Sequence, residues 1–164
     1  MTISGIENID RKFVLLGPIT PIMLENRVRA CQTAYANHKK GCPKFGKCPD
    51  CPPKARPFEK VYAPGMVRIA VVIFDFESYV KMRRKDQPNW TMKALRNPRH
   101  WQGHLRAEMR QQLANIPLAD DEKVDTNPEA RGINVTATCA AAGLEIEWPP
   151  KKFVCQVAMI AKTL

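Results

Sequence analysis

A chain of 164 residues, 45% of them hydrophobic, supports one domain with a real core and excludes a disordered polar chain. Its longest apolar runs, 69–76 and 153–161, are too short to span a bilayer, and Glu7 and Asp10 interrupt the apolar core that a signal peptide needs, so a cytoplasmic protein without a membrane segment is expected. The formal net charge of +10 favours anionic partners: nucleic acid, a phosphorylated ligand or an acidic protein.

Residues 12–19 predict a strand, with Phe13, Val14, Leu15 and Leu16 in one apolar run. Thr20-Pro21 then has the form of a helix start, with Thr as the cap and Pro at the first helical position. Ile22, Leu24, Val28, Cys31 and Tyr35 follow a helical stripe, so a helix is expected to run to about Tyr35 and carry Cys31 in its last turn. Residues 37–57 are dense in Pro, Gly and Lys and cannot build a core of their own. A loop of that length inside a compact domain is uncommon unless something ties it down.

Residues 67–76 (VRIAVVIFDF) carry the strongest strand signal and predict a central strand buried on both faces. Residues 78–89 read as a basic loop or short helix. Asn97-Pro98 repeats the cap-plus-proline start, and Trp101, Leu105, Met109, Gln112, Leu113 and Ile116 mark one face of a helix ending before Pro117. Residues 117–128 form an acidic connector. Residues 134–142 predict a short helix capped by Asn134 and stopped by Gly143, and 152–161 predict a closing strand. The order is strand, helix, cysteine loop, strand, helix, helix, strand. It predicts a single α+β or α/β domain over 1–164: a small sheet packed with helices, with a metal-binding loop at about 31–56.

Six cysteines in a reducing compartment argue against disulfides. Cys31, Cys42, Cys48 and Cys51 are clustered and read as metal ligands; Cys139 and Cys155 stand alone among apolar neighbours and read as core. Four thiolates satisfy either a tetrahedral zinc ion or an iron–sulfur cluster (4Fe–4S). The two-residue gap between Cys48 and Cys51 lets one turn point both sulfurs at one metal, and nearby lysines favour thiolate over thiol. A zinc ribbon pairs two such turns and only one is present here. Pro directly after Cys42, Cys48 and Cys51 weighs toward the iron–sulfur cluster.

Other candidates are thinner. His100 and His104 are four apart, so on one helix they would share a face with Glu108 and could hold a second metal, or simply form a polar flank. His38 adjoins the cysteine loop. Asp75 and Glu77 close the central strand, where α/β proteins often place functional carboxylates. There is no Gly-rich phosphate loop and no nucleophile elbow, so no catalytic residue is assigned.

Cys42-Pro-Lys-Phe-Gly followed by Cys51-Pro-Pro resembles the Cys-Pro-Asn-Tyr-Gly … Cys-Pro-Pro signature of the cysteine-rich predicted metal-binding proteins filed as domain of unknown function 2284. Glu129-Ala130-Arg131-Gly132-Ile133-Asn134-Val135, with Thr138 and Ala142-Gly143-Leu144 beyond it, resembles a second block of that family. The resemblance implies Cys31, Cys42 and Cys51 as shared candidate ligands, with Cys48 a more variable addition. It also implies a second cysteine cluster between the blocks, and residues 97–128 contain no cysteine. That departure argues against a two-cluster relay.

The expectation is therefore a small metal-binding protein with one four-cysteine centre. It would act as an electron-transfer or structural accessory subunit, with a protein partner in a larger complex. Two alternatives stand beside it. One is a nucleic-acid-binding module with structural zinc that presents Lys39, Lys40, Lys44, Lys47 and Arg56 to phosphates. The other is a metal-dependent enzyme built on His100 and His104.

Overall fold

The computed structural model describes residues 5–34 and 38–164. Four strands build its sheet: β1 (Arg11–Ile19), β2 (Val67–Asp75), β3 (Glu122–Asp125) and β4 (Phe153–Lys162). Their order is β1-β2-β4-β3, and every pairing is antiparallel. The fold is therefore α+β, a single compact domain, and the α/β alternative falls because the described strands pair only antiparallel.

The β-branched run in β2 explains its place. Val71 lies between Val14 of β1 and Val157 of β4, and alternate side chains leave on opposite faces. On one face Ala70, Val72 and Phe74 pack against Val154 and Ala158. This face is covered by α2 (Phe76–Asp86), α3 (Met92–Leu95) and α4 (Gln102–Ala114), which bring Phe76, Tyr79, Leu95, Leu105 and Met109. On the other face Val67, Ile69 and Val71 pack with Met159 and Ala161 against Phe58, Tyr62, Ile133, Val135 and Cys139. Among the described residues, the short α5 (Val135–Ala141), a 3-10 turn at Phe58–Lys60 and irregular chain cover this second face. Each fully buried aliphatic or aromatic side chain contributes about 1.5–3 kcal/mol, so both faces matter to stability.

The helix expected over 21–35 is not formed. Its described part contains only α1 (Arg29–Gln32), and Tyr35 lies outside the described residues. Met23 bridges Ile133, the Leu24 amide donates to Gly132 at 2.7 Å, and the Asn134 amide donates to Ile22 at 2.7 Å. Residues 22–24 thus spend their backbone groups on a distant strand-like partner rather than on helical neighbours. The helix expected from Asn97 is split. Residues Pro98–His100 form a 3-10 turn, Trp101 breaks it with φ −137°, and α4 starts at Gln102. The acidic connector holds β3, which reads weakly because it is a short edge strand.

Other local signals hold. Asn134 accepts the Ala137 amide at 3.1 Å as the cap of α5, and Gly143 at φ +91° ends it. The basic stretch after β2 is helical because Asp75 caps α2, accepting from the Ser78 amide at 2.9 Å and the Ser78 hydroxyl at 2.7 Å.

Burial alone would raise the Asp75 carboxyl; the Ser78 hydroxyl and amide outweigh it and hold the group below its usual range. A depressed carboxyl stabilises the fold above its unfolded pKa, and that contribution is lost as pH falls through the folded one. Asp75→Ala is expected to cost about 1 kcal/mol in chemical denaturation near neutral pH. The difference from the native protein should shrink toward zero below the carboxylate range. A constant difference across pH would remove the charged cap from the account.

Candidate metal centre and adjoining cavity

Cys31 sits in α1, and its carbonyl accepts the Cys42 amide at 2.7 Å. That single bond closes the gap between the first and second cysteines. Gly41 makes it feasible: its φ is +83°, and an added Cβ would collide with the Cys31 carbonyl oxygen. Beyond Cys42 the chain proceeds through consecutive turns. Phe45 donates to Cys42 at 3.1 Å, Cys48 to Lys44 at 3.4 Å, Cys51 to Cys48 at 3.2 Å and Ala55 to Cys51 at 2.9 Å. The loop satisfies its own backbone without a helix or strand, and all four cysteines are half-buried and free.

The four thiols stand in one another's fields. Burial pushes the Cys31 thiol up, and Cys42, Cys51 and Glu129 push it further. Burial also raises Cys51, as do Cys48 and Cys42, with Lys44 pulling the other way. A group of thiols that oppose one another's ionisation is the electrostatic setting that a bound cation reverses. Among the described residues, no three His, Cys, Asp or Glu side chains are gathered closely enough to hold an ion as they stand. The donor set is right in kind, and sharing one centre requires the 42–51 turns to close on Cys31.

Distant residues fasten the loop. Arg27 donates to the carbonyls of Ala55, Ala130 and Pro53. Asn127 donates to the Asp50 carbonyl at 2.9 Å, and Arg131 to the Arg56 carbonyl at 3.0 Å. Arg131 is held in turn by Asp125 at 2.7 Å, and the same carboxylate oxygen accepts the Tyr62 hydroxyl at 2.8 Å. Asp125 is only 6% exposed, so this is a buried polar network with its partners supplied. Burial first, then Asp125, pushes the Tyr62 phenol well above its usual range. The cysteine loop and the Glu129–Val135 stretch, far apart in sequence, therefore meet.

Beside this junction lies a cavity of about 560 Å³ between α1, residues 98–102, residues 129–136, residues 146–150 and β4. Glu129 and Cys155 lie on its wall. Cys139 is fully buried, and burial is the chief cause that lifts the Cys139 and Cys155 thiols to about 11. Cys139 is a core residue, as the sequence suggested, whereas Cys155 is half-buried on the cavity wall.

The remaining candidates disperse. His100 packs at a tilt against Trp90 with ring centroids 4.7 Å apart, while His104 belongs to α4. Glu108 accepts from Gln112 at 2.8 Å and faces Arg11 at 3.8 Å. His100 and His104 therefore sit on successive elements and do not share one helix face. Asp75 is a cap, and Glu77 pairs with Lys81 at 3.5 Å on the exposed surface. Lys39, Lys40, Lys44, Lys47 and Arg56 are exposed around the loop. Reasoning from sequence missed the cavity, because its lining comes from five separated stretches and carries no local motif.

No family model matches the chain, and neither a curated protein nor a solved structure matches it. Among the described residues, no helix is long and apolar enough to cross a membrane.

Arg131→Ala leaves the Asp125 carboxylate buried without its cation and frees the Arg56 carbonyl. The expected cost is about 3 kcal/mol in denaturation, because an uncompensated buried charge remains. Limited proteolysis should cut residues 42–57 sooner than in the native protein. Unchanged cleavage there would remove Arg131 as the fastening of the loop.

Proposed function

We propose that this chain is a small metal-binding protein whose Cys31, Cys42, Cys48 and Cys51 supply four thiolates to one centre. The centre is an iron–sulfur cluster (4Fe–4S) or a zinc ion, and the protein is an electron-transfer or structural accessory subunit of a larger complex. The observation that carries this reading is the Cys42 amide bonded to the Cys31 carbonyl, which brings the first and second cysteines together. The mutual fields of the thiols support it. The resemblance of the Cys42 and Cys51 segments to cysteine-rich metal-binding proteins supports it further. Free cysteines throughout fit a reducing compartment, so the proposed location is the cytoplasm.

Each residue has a task in this reading. The Cys48–Cys51 turn, closed by the Cys51 amide on the Cys48 carbonyl at 3.2 Å, would offer two sulfurs to one metal. Lys44 favours the ionised form of Cys51 and offsets part of the negative charge that four thiolates accumulate. Cys31 brings the donor from α1, and Arg27, Asn127 and Arg131 hold the loop against the domain. A bound cluster would supply one-electron storage, whereas zinc would supply a cross-link. A second reading, a nucleic-acid-binding module with structural zinc, is favoured by the exposed lysines around the loop. It predicts an affinity that falls steeply with salt, which a relay does not.

Protein purified without oxygen should contain about four irons per chain with visible absorption, or one zinc and no colour. Cys51→Ser should lower the metal content several-fold and loosen residues 42–57 to protease. Full metal content in that variant would sink the centre. The raised thiols also set a sign. Binding must expel protons, so apparent zinc affinity should rise with pH, and titration in weak buffer should release protons. Proton-neutral binding would contradict thiolate ligation.

A further inference from the structure

The positive charge of the molecule is unevenly placed. Residues 81–110 hold nine of the 26 Lys and Arg and two of the 16 Asp and Glu, namely Asp86 and Glu108. They belong to α2, α3, the 3-10 turn at Pro98–His100 and α4, the layer that covers the first face of the sheet. Glu108 is engaged by Arg11 and Gln112. Among the described residues, Lys81 is the only one of the nine cations paired with a carboxylate, that of Glu77. The rest of this charge stands without a carboxylate partner. Six of the nine are Arg, whereas the cysteine loop carries Lys39, Lys40, Lys44, Lys47 and Lys54 with a single Arg56.

At the centre of this layer three planar groups pack together. The Arg83 guanidinium lies 4.6 Å from the centroid of the Trp90 ring, and the His100 ring packs on the same indole with centroids 4.7 Å apart. Trp90 itself packs against the core, and Arg83 Nε is buried, so the group is held rather than free to swing. Arg84 joins it from the next position of α2, with its Nη2 at 3.5 Å from the Met92 sulfur. Burial first, then the charges of Arg83 and Arg99, keeps the His100 imidazole below its usual range, so both guanidinium groups stand near that ring. A guanidinium resting on an indole keeps its planar fork of donors ordered in advance of any ligand.

We propose that this surface binds double-stranded nucleic acid through its phosphates, with Arg83, Arg84 and Arg99 around Trp90 as the principal contacts. The fork of Arg matches the oxygens of a phosphate, and a polyphosphate backbone suits a spread of cations that no carboxylate neutralises. A membrane or a protein partner would need apolar anchors beside the charge. The exposed large hydrophobic side chains, Met66, Leu118 and Trp148 among them, all lie outside residues 76–114. Single strands bind by stacking bases on open aromatic rings. Here Trp90 is half-buried and already engaged by two side chains, and Phe76, Tyr79 and Trp101 are buried. A duplex, held by its backbone without regard to sequence, is the ligand that remains. The surface differs from the lysines of the cysteine loop: it lies on the helical face, whereas Phe58, just past that loop, packs on the other. It is independent of the four-cysteine centre.

The test is a fluorescence-anisotropy titration of the full chain against labelled DNA duplexes of two unrelated sequences, an RNA duplex and a single strand, with phosphatidylserine vesicles as competitor. Both DNA duplexes should bind equally and more tightly than the single strand. Their affinity should fall about tenfold or more between about 50 and 200 mM salt. Arg84 and Arg99 are exposed, so Arg84→Gln and Arg99→Gln should fold normally. Each should weaken duplex binding several-fold and lower the salt slope by about one. Arg83→Lys keeps the charge and loses the planar fork, and should also weaken binding. Lys39→Gln with Lys40→Gln, in the cysteine loop, should retain full affinity. Tighter binding of either the DNA or the RNA duplex keeps the proposal and names the ligand. It is overturned by the absence of salt-dependent duplex binding, by preference for the single strand or the vesicles, by unchanged affinity in the Arg84 and Arg99 variants, or by an equal loss in the Lys39 and Lys40 variant. Metal content is measured in every sample, so failure of the thiol centre and failure of this surface register separately.

Discussion

A strand with no polar face needs cover on both sides, and β2 is such a strand: Val67, Ile69, Ala70, Val71, Val72 and Phe74 are all buried. Helices of ordinary length cover one face, with Leu105 and Met109 of α4 at its centre. The opposite face receives Phe58 and Tyr62 from a 3-10 turn and Ile133 and Val135 from the segment leading into α5. Irregular chain can cover apolar surface only if its backbone groups find partners elsewhere. That requirement shapes the second face of the sheet.

Asp125 is where the requirement is met. One carboxylate at the end of an edge strand binds Tyr62 and Arg131, and Arg131 reaches on to the loop carbonyl of Arg56. Three segments with little regular structure are thereby locked to the sheet and to one another. Arg27 does the same from the other side, joining Ala55 to Ala130. Buried charged networks of this kind contribute more to defining one arrangement than to total stability when every member is satisfied. Here the arrangement they define places Cys31, the Cys42–Cys51 turns and Glu129 around one junction.

Charge organises that junction in two opposite ways. Burial and the neighbouring thiols raise Cys31 and Cys51, and Glu129 adds to the rise at Cys31. The lysines around them are exposed and well solvated. A protein that is strongly basic as a whole thus gathers four of its six thiols in one loop.

Much of the fold is legible in the chain. The β-branched runs of β1, β2 and β4 announce strands, Asn134 and Gly143 bound α5, and the two-residue gap from Cys48 to Cys51 sets their turn. These features depend on neighbours close in sequence, where side-chain periodicity and local hydrogen bonds decide conformation. Thr20-Pro21 carried an equally good helix signal and failed, because Ile22 and Leu24 found hydrogen-bond partners more than a hundred residues away in Gly132 and Asn134. β3, the split before α4, the Cys31–Cys42 contact and the cavity around Glu129 are likewise products of long-range pairing. The sequence by itself determined three of the four strands, where α5 begins and ends, and which side chains could act as ligands. Only the tertiary structure decided which of them meet, because the partner that satisfies each buried backbone or charged group lies far along the chain.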